Sequence, residues 1–150
     1  MEKKIRSFIY DIMDHQPDLT LATLRKDGWP QANTVSYGHD GLVIYFGTGK
    51  DSQKVKNIQH CNKVSLTIND DYQGDWNQIK GISMAATATI LKGKTEVQHA
   101  IDCIIKRFPA AADWASTEDL ANMVYLRLTP SVISVLDYQQ GFGHTELVST

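Results

Sequence analysis

Apolar positions along the chain recur with two different periods, and the change from one to the other marks out most of the fold. Ile5, Phe8, Ile9, Ile12 and Met13 are spaced i, i+3, i+4, i+7 and i+8, which predicts an opening helix with one apolar face. From Leu19 the period drops to two. The run "LTLATLRKDGWPQANTVSYGHDGLVIYFGT" reads as three strands joined at Asp27-Gly28 and Asp40-Gly41, where glycine supplies the backbone freedom a tight connection needs. Asp51 or Ser52 caps a short helix to about His60. "KVSLTI" is a strand, "NDDYQGDWNQ" a polar loop, and "IKGISMAATATIL" a strand long enough to bend. Thr95 and Gln98 have the spacing of a capping box ahead of a helix whose Val97, Ile101, Ile104 and Phe108 make an apolar stripe up to Pro109. "MVYLRLTPSVISVLDY" is the last strand or strand pair.

About six strands, mostly next to antiparallel neighbours, with helices at the start, after the third strand and before the last, predict a mainly β chain: a β-barrel with peripheral helices. At 150 residues and 42% apolar content, one domain over residues 1–150 is expected. A net charge of −2 and no basic stripe interleaved with aromatics argue against nucleic acid as a partner. No segment has the length or composition of a signal peptide or a membrane span, so a cytoplasmic protein with no membrane partner is expected. Cys61 and Cys103 fit neither a disulfide framework nor a metal site, and no metal is expected.

One corner concentrates polar chemistry. In "YFGTGKDSQKVKN" a strand ends at Gly47-Thr48-Gly49 and a helix begins, so free backbone N–H groups and the positive end of a helix dipole meet the hydroxyls of Thr48 and Ser52. Lys54 falls in the first turn, where a cation opposes the dipole by roughly 0.3–1 kcal/mol unless an anion compensates. Two readings follow from these residues: a phosphate site, or a plain turn in which Asp51 neutralises the helix start and Lys54 faces water. A Walker-type loop is excluded, because Asp51 stands where Ser or Thr is required, and no G-x-G-x-x-G opens the helix.

The succession "LATLRKDGWPQANTVSYGHDGLVIYFGTGKDSQKVKNIQHCNKVSLTI", the strand "KGISMAATATIL" and the tail "DYQQGFGHTELV" resemble the pyridoxamine 5'-phosphate oxidase-like, FMN-binding split-barrel family over nearly the whole chain. The resemblance implies a six-stranded antiparallel split barrel. It implies FMN as cofactor, its phosphate held by Gly47, Thr48, Ser52, Gln53 and Lys54, and its ring and ribityl chain beside Ala32, Asn33, Thr34, Val35, Ser36 and Tyr37. It also implies a homodimer with cofactor sites at the subunit interface. Haem or a deazaflavin is the alternative cofactor.

The sequence departs from the founding oxidase at charged positions. Ala32 and Tyr37 stand where that enzyme has basic side chains, and Gln53 replaces an arginine. Its arginine-bearing C-terminal substrate signature is missing, so oxidation of pyridoxamine phosphate is not the expected activity. The activity implied is an FMN-dependent oxidoreductase acting on an unidentified small molecule; the alternative is a non-catalytic flavin- or haem-binding storage or sensor protein. No Ser-His-Asp spacing or paired acids identify catalytic side chains, in keeping with chemistry that resides on a cofactor. Trp76 and His144 are candidate substrate contacts. Trp29 reads as a structural plug and Trp114 as a core or dimer contact.

Overall fold

The computed structural model describes residues 1–114, the side chain of Trp114 excepted, and 121–150. The expectation for Trp114 therefore lies outside the described side chains. Helix α1 (Lys3–His15) turns Ile9, Ile12 and Met13 inward and ends before Pro17, whose ring disfavours helical backbone at Gln16. Strand β1 (Asp18–Leu24) pairs along its whole length with β2 (Pro30–Ser36). At their turn Gly28 takes a φ of +87°, and the Asp27 carboxylate accepts hydrogen bonds from the Trp29 amide and the Arg25 guanidinium.

Strand β3 (Gly38–Asp40) returns through Gly41, φ +58°, to β4 (Val43–Gly49). Helix α2 (Gln53–His60), β5 (Lys63–Asn69), β6 (Lys80–Ile90), α3 (Lys94–Arg107), the four-residue α4 (Ala111–Trp114), β7 (Met123–Asp137) and β8 (Thr145–Ser149) follow. Gln98 hydrogen-bonds Asp102 rather than closing a capping box, because the N-cap is Gly93 and α3 starts at Lys94, two residues earlier than a Thr95 cap requires, leaving Thr95 inside the first turn.

The sheet order is β2-β1-β5-β6-β7-β4-β3, every neighbour antiparallel, with β8 added on β7. β2 and β3 occupy opposite ends of that order yet are joined through Tyr37 alone, so the sheet has to curl round until its ends meet. This is the expected antiparallel split barrel, with eight strands where six were expected. The two extra come from the break at Tyr37 and from the tail, which pairs along the edge β7 leaves open.

β7 pairs with β4 over residues 123–128 and with β8 over 132–136. Between the two, the register against β6 slips by one residue at Ser131, whose hydroxyl donates to the Ala85 carbonyl. A bulge of this kind flips the alternation of side chains. Leu126 and Leu128 face inward before it, Ile133 and Val135 after it.

Inward residues of all the long strands join α1 in one apolar core. α3 lies against β3 and β4 so closely that a Cβ on Gly38 would stand 2.6 Å from the Cys103 backbone. Among the described residues no helix is long and apolar enough to cross a membrane.

Candidate functional site

The polar corner forms where β4 hands over to α2. Ser52 is the N-cap, its hydroxyl accepting from the Val55 amide at 3.4 Å, and the Ser52 amide closes the turn onto the Gly49 carbonyl at 3.1 Å. Lys54 folds back over this first turn and donates to Thr48 Oγ1 at 3.2 Å, while the Thr48 hydroxyl lies 3.5 Å from Ser52 Oγ. Among the described residues no carboxylate pairs with Lys54. An ammonium held at a helix N-terminus without a counter-charge is the arrangement an incoming anion relieves.

The corner opens on a cleft of about 910 Å³. Thr34, Val35 and Ser36 of β2 form one wall, and Gly47, Thr48, Gly49 and Lys54 form the polar end. Ile104 and Phe108 at the end of α3, with Ala110 and Ala111, form the opposite wall. Asn122, Met123 and Tyr125 at the start of β7 close the floor. Tyr125 pairs with Gly47 across the β4–β7 ladder, and burial pushes its phenol above the ordinary tyrosine value, so it is a neutral hydroxyl at physiological pH.

Of the residues expected from the sequence, Thr34, Val35, Ser36, Gly47, Thr48 and Lys54 line this one cleft, and Ser52 joins through Thr48. Ala32 and Asn33 lie further along β2 and do not line it. Tyr37 turns away. It is fully buried, with its hydroxyl 2.8 Å from the carbonyl oxygens of Met13 and Gln16, and its role here is to join α1 to the barrel. Gln53 also faces elsewhere, donating to Asn57 Oδ1 at 2.8 Å, one turn along the same helix. Lys50 is exposed and does not reach the cleft; its amide ties the corner to the Asn122 carbonyl at 2.8 Å.

Trp76 and His144 lie together at the other end of the 15-residue β7, beside Asp137. Trp76 stacks on Phe142, ring centres 6.3 Å apart, and Phe142 meets Tyr138 edge-on. His144 Nε2 is buried without a hydrogen-bond partner, 3.8 Å from Glu146 Oε1. Trp29 is 71% exposed at the β1–β2 turn, so it plugs nothing in this chain.

Sequence reasoning missed three groups. Asn57, 1% exposed, donates to Thr23 Oγ1 and Gln31 Oε1 at 2.9 Å each and fastens α2 to the β1–β2 hairpin. Its signal was an amide on the buried face of α2, between Val55 and Ile58. Arg107 donates to the carbonyls of Met13 and Gln16 and lies 4.5 Å from the Tyr37 ring centre. Tyr125 had no local signal, since only the β4–β7 pairing brings it to Gly47.

Comparison with known proteins fits this architecture. The chain is 24% identical over 137 residues to general stress protein 26 of Bacillus subtilis, covering 91% of each chain. Its fold matches the conserved hypothetical protein Rv2991 of Mycobacterium tuberculosis with a TM-score of 0.79 at 19% identity, over 100% of this chain and 94% of that one. It matches a haem-binding protein of Mycobacterium smegmatis with a TM-score of 0.77 at 22% identity, over 92% of this chain but 55% of that longer one. The family model for pyridoxamine 5'-phosphate oxidase matches residues 1–137, nearly everything up to the end of β7. On that match, and with a split barrel beneath it, the chain belongs to the pyridoxamine 5'-phosphate oxidase family.

Proposed function

We propose that the cleft binds FMN and that the chain is an FMN-dependent oxidoreductase acting on a small molecule. The observation that carries this reading is the Lys54–Thr48–Ser52 cluster, a cation that pairs with no carboxylate among the described residues and two hydroxyls, gathered at a helix N-terminus and opening on a cleft. That donor set suits a phosphate dianion. The neighbouring wall suits a flat ring. β2 ends the sheet order, so among the described residues one edge of its backbone has no strand partner; the Thr34 hydroxyl stands on the same wall, beside Ser36, whose hydroxyl donates to Asp18.

A bound flavin supplies hydride or single-electron transfer, and the chain supplies position and electrostatics. Lys54, Thr48 and Ser52 hold the phosphate. β2 orients the ring through its free backbone edge, Tyr125 contributes a neutral hydroxyl to the floor, and Phe108 and Ile104 exclude water from the far side.

The purified protein is expected to take up one equivalent of FMN, read by quenching of flavin fluorescence. Lys54→Ala removes a charge-assisted contact of about 1.5–3 kcal/mol, a loss of roughly 10- to 100-fold in affinity. No uptake at high micromolar FMN, or unchanged affinity in the variant, overturns the assignment. Reduction of the bound flavin by NADH or NADPH and reoxidation by an acceptor establish the enzyme.

A second reading, a haem- or flavin-binding storage or sensor protein, is favoured by the likeness to the haem-binding M. smegmatis fold. Among the described residues the cleft offers haem iron no histidine, but it holds the thioether of Met123 and the phenol of Tyr125. A Soret band in protein from its native host, in place of a flavin spectrum, would decide for it.

The same reading makes the chain a homodimer whose second copy completes each cleft. Support comes from a groove of about 420 Å³ lined by strand residues alone, among them Ala22, Ser65, Ala85 and Thr87, and from Leu147 of β8, 76% exposed. Small side chains on an uncovered sheet face permit close approach of another surface. Light scattering on the wild type and on Leu147→Glu tests it: a dimer is expected, weakened by the variant.

A further inference from the structure

Charge is distributed unevenly in the cleft, and the imbalance bears on what binds beside the cofactor. The polar end holds Lys54, and among the described residues no other charged side chain lines the walls. The opposite wall is Ile104, Phe108, Ala110 and Ala111, with Met123 adjoining.

Two features make that wall inhospitable to a second anion. It is built at the C-terminal end of the 14-residue α3, where the carbonyls of the last turn carry the negative end of the helix dipole. Two cations stand in the last turn of that helix, and neither lines the cleft: Lys106 is exposed, and Arg107 is committed elsewhere. Arg107, directly before Phe108, spends its guanidinium on the carbonyls of Met13 and Gln16 and on the face of Tyr37, and it does not line the cleft.

The volume leaves room for a second molecule. Ligand cavities run to roughly 300–1,000 Å³, and 910 Å³ is near the top of that range. The rings of Phe108 and Tyr125 offer aromatic surface to stack on.

We infer that the substrate of this chain is an uncharged, largely apolar aromatic molecule, not a phosphate ester or other anion, seated against the Ile104–Phe108–Ala111 wall while Lys54 serves the cofactor phosphate alone. The inference rests on the reading of the Lys54 corner as the cofactor-phosphate site.

The test uses two probes of one shape, neutral 2-naphthamide and anionic 2-naphthalenesulfonate, titrated calorimetrically against the protein saturated with FMN and, separately, with inorganic phosphate. The amide is expected to bind at least tenfold more tightly than the sulfonate under both conditions. Phe108→Ala should weaken the amide about tenfold. Ile104→Lys, or Ala111→Lys should the first fold poorly, should reverse the preference by placing a cation on the wall.

Equal or tighter binding of the sulfonate to the wild type overturns the inference, as does failure of both probes to bind at millimolar concentration. The phosphate arm separates the two claims. If FMN does not bind, the function proposed above fails, while the neutral-over-anion preference is still read with inorganic phosphate present.

Discussion

Gly47 lies opposite Tyr125 in the β4–β7 ladder, so close beneath the ring that a Cβ at Gly47 would stand 2.9 Å from Tyr125 Cε1. The missing side chain is what lets a tyrosine lie over the polar end of the cleft. Gly49, two residues on, has nothing within 4 Å of the same hypothetical atom.

Substituting these two glycines should therefore separate space from backbone freedom. Gly47→Ala is expected to drive the Tyr125 ring into the cleft and lower FMN affinity at least tenfold. Gly49→Ala, at a φ ordinary for any residue, should leave it within twofold. Fluorescence titration of the two variants checks this, and equal effects would show that Tyr125 does not shape the site.

Asn57 links the two sides of the cleft. It holds α2, which carries Lys54, against the β1–β2 hairpin, which carries Thr34 and Ser36. Asn57→Ala leaves the 4%-exposed Thr23 hydroxyl without this partner and removes three hydrogen bonds. Urea unfolding should show a loss of about 2–3 kcal/mol, with weaker FMN binding in the protein that remains folded.

Arg107 should resist conservative replacement. Its fork reaches the Met13 carbonyl of α1 and the Gln16 carbonyl just past it at once, a geometry that a lysine ammonium cannot reproduce. Arg107→Lys is expected to cost about 1.5–3 kcal/mol in urea unfolding.

The Tyr37 phenol, beneath the same guanidinium, sets an alkaline limit. Burial raises it above its ordinary value of 10.0, and the Arg107 charge opposes that rise in part. A group whose pKa is higher in the folded state contributes stability that is fully present below the unfolded value and lost as pH climbs through the folded one. Stability should therefore fall above about pH 10, less steeply in Tyr37→Phe than in the wild type. Unfolding curves between pH 9 and 11 measure the difference. Parallel curves would assign the alkaline loss to Tyr45, Tyr125 and the Cys103 thiol, which burial also raises.

Much of the site was legible because its chemistry is local. Thr48, Ser52 and Lys54 lie within one strand-to-helix turn, and a capping serine with a lysine in the first turn meet whatever the rest of the fold does. The strands at Leu19 and in "KVSLTI" were legible likewise, since a period of two needs only one wet and one dry face, and Leu19, Leu21, Leu66 and Ile68 occupy the dry one. Tyr37 and Gln53, expected beside the cofactor, do not line the cleft. Tyr37 occupies the bend that closes the sheet and is drawn into the core, and Gln53 is bonded to Asn57 along its own helix.

By itself, then, the order of residues determined the strands, the glycine turns and the polar corner, all of which depend on neighbours a few positions apart. The apolar wall across from that corner, the placing of Tyr125 over Gly47 and the diversion of Arg107 to α1 depended on contacts between residues far apart in the chain. Those contacts exist only once β2 and β3 meet at Tyr37 and the sheet has curled, because that closure is what brings the start of β7 and the end of α3 to the same cleft.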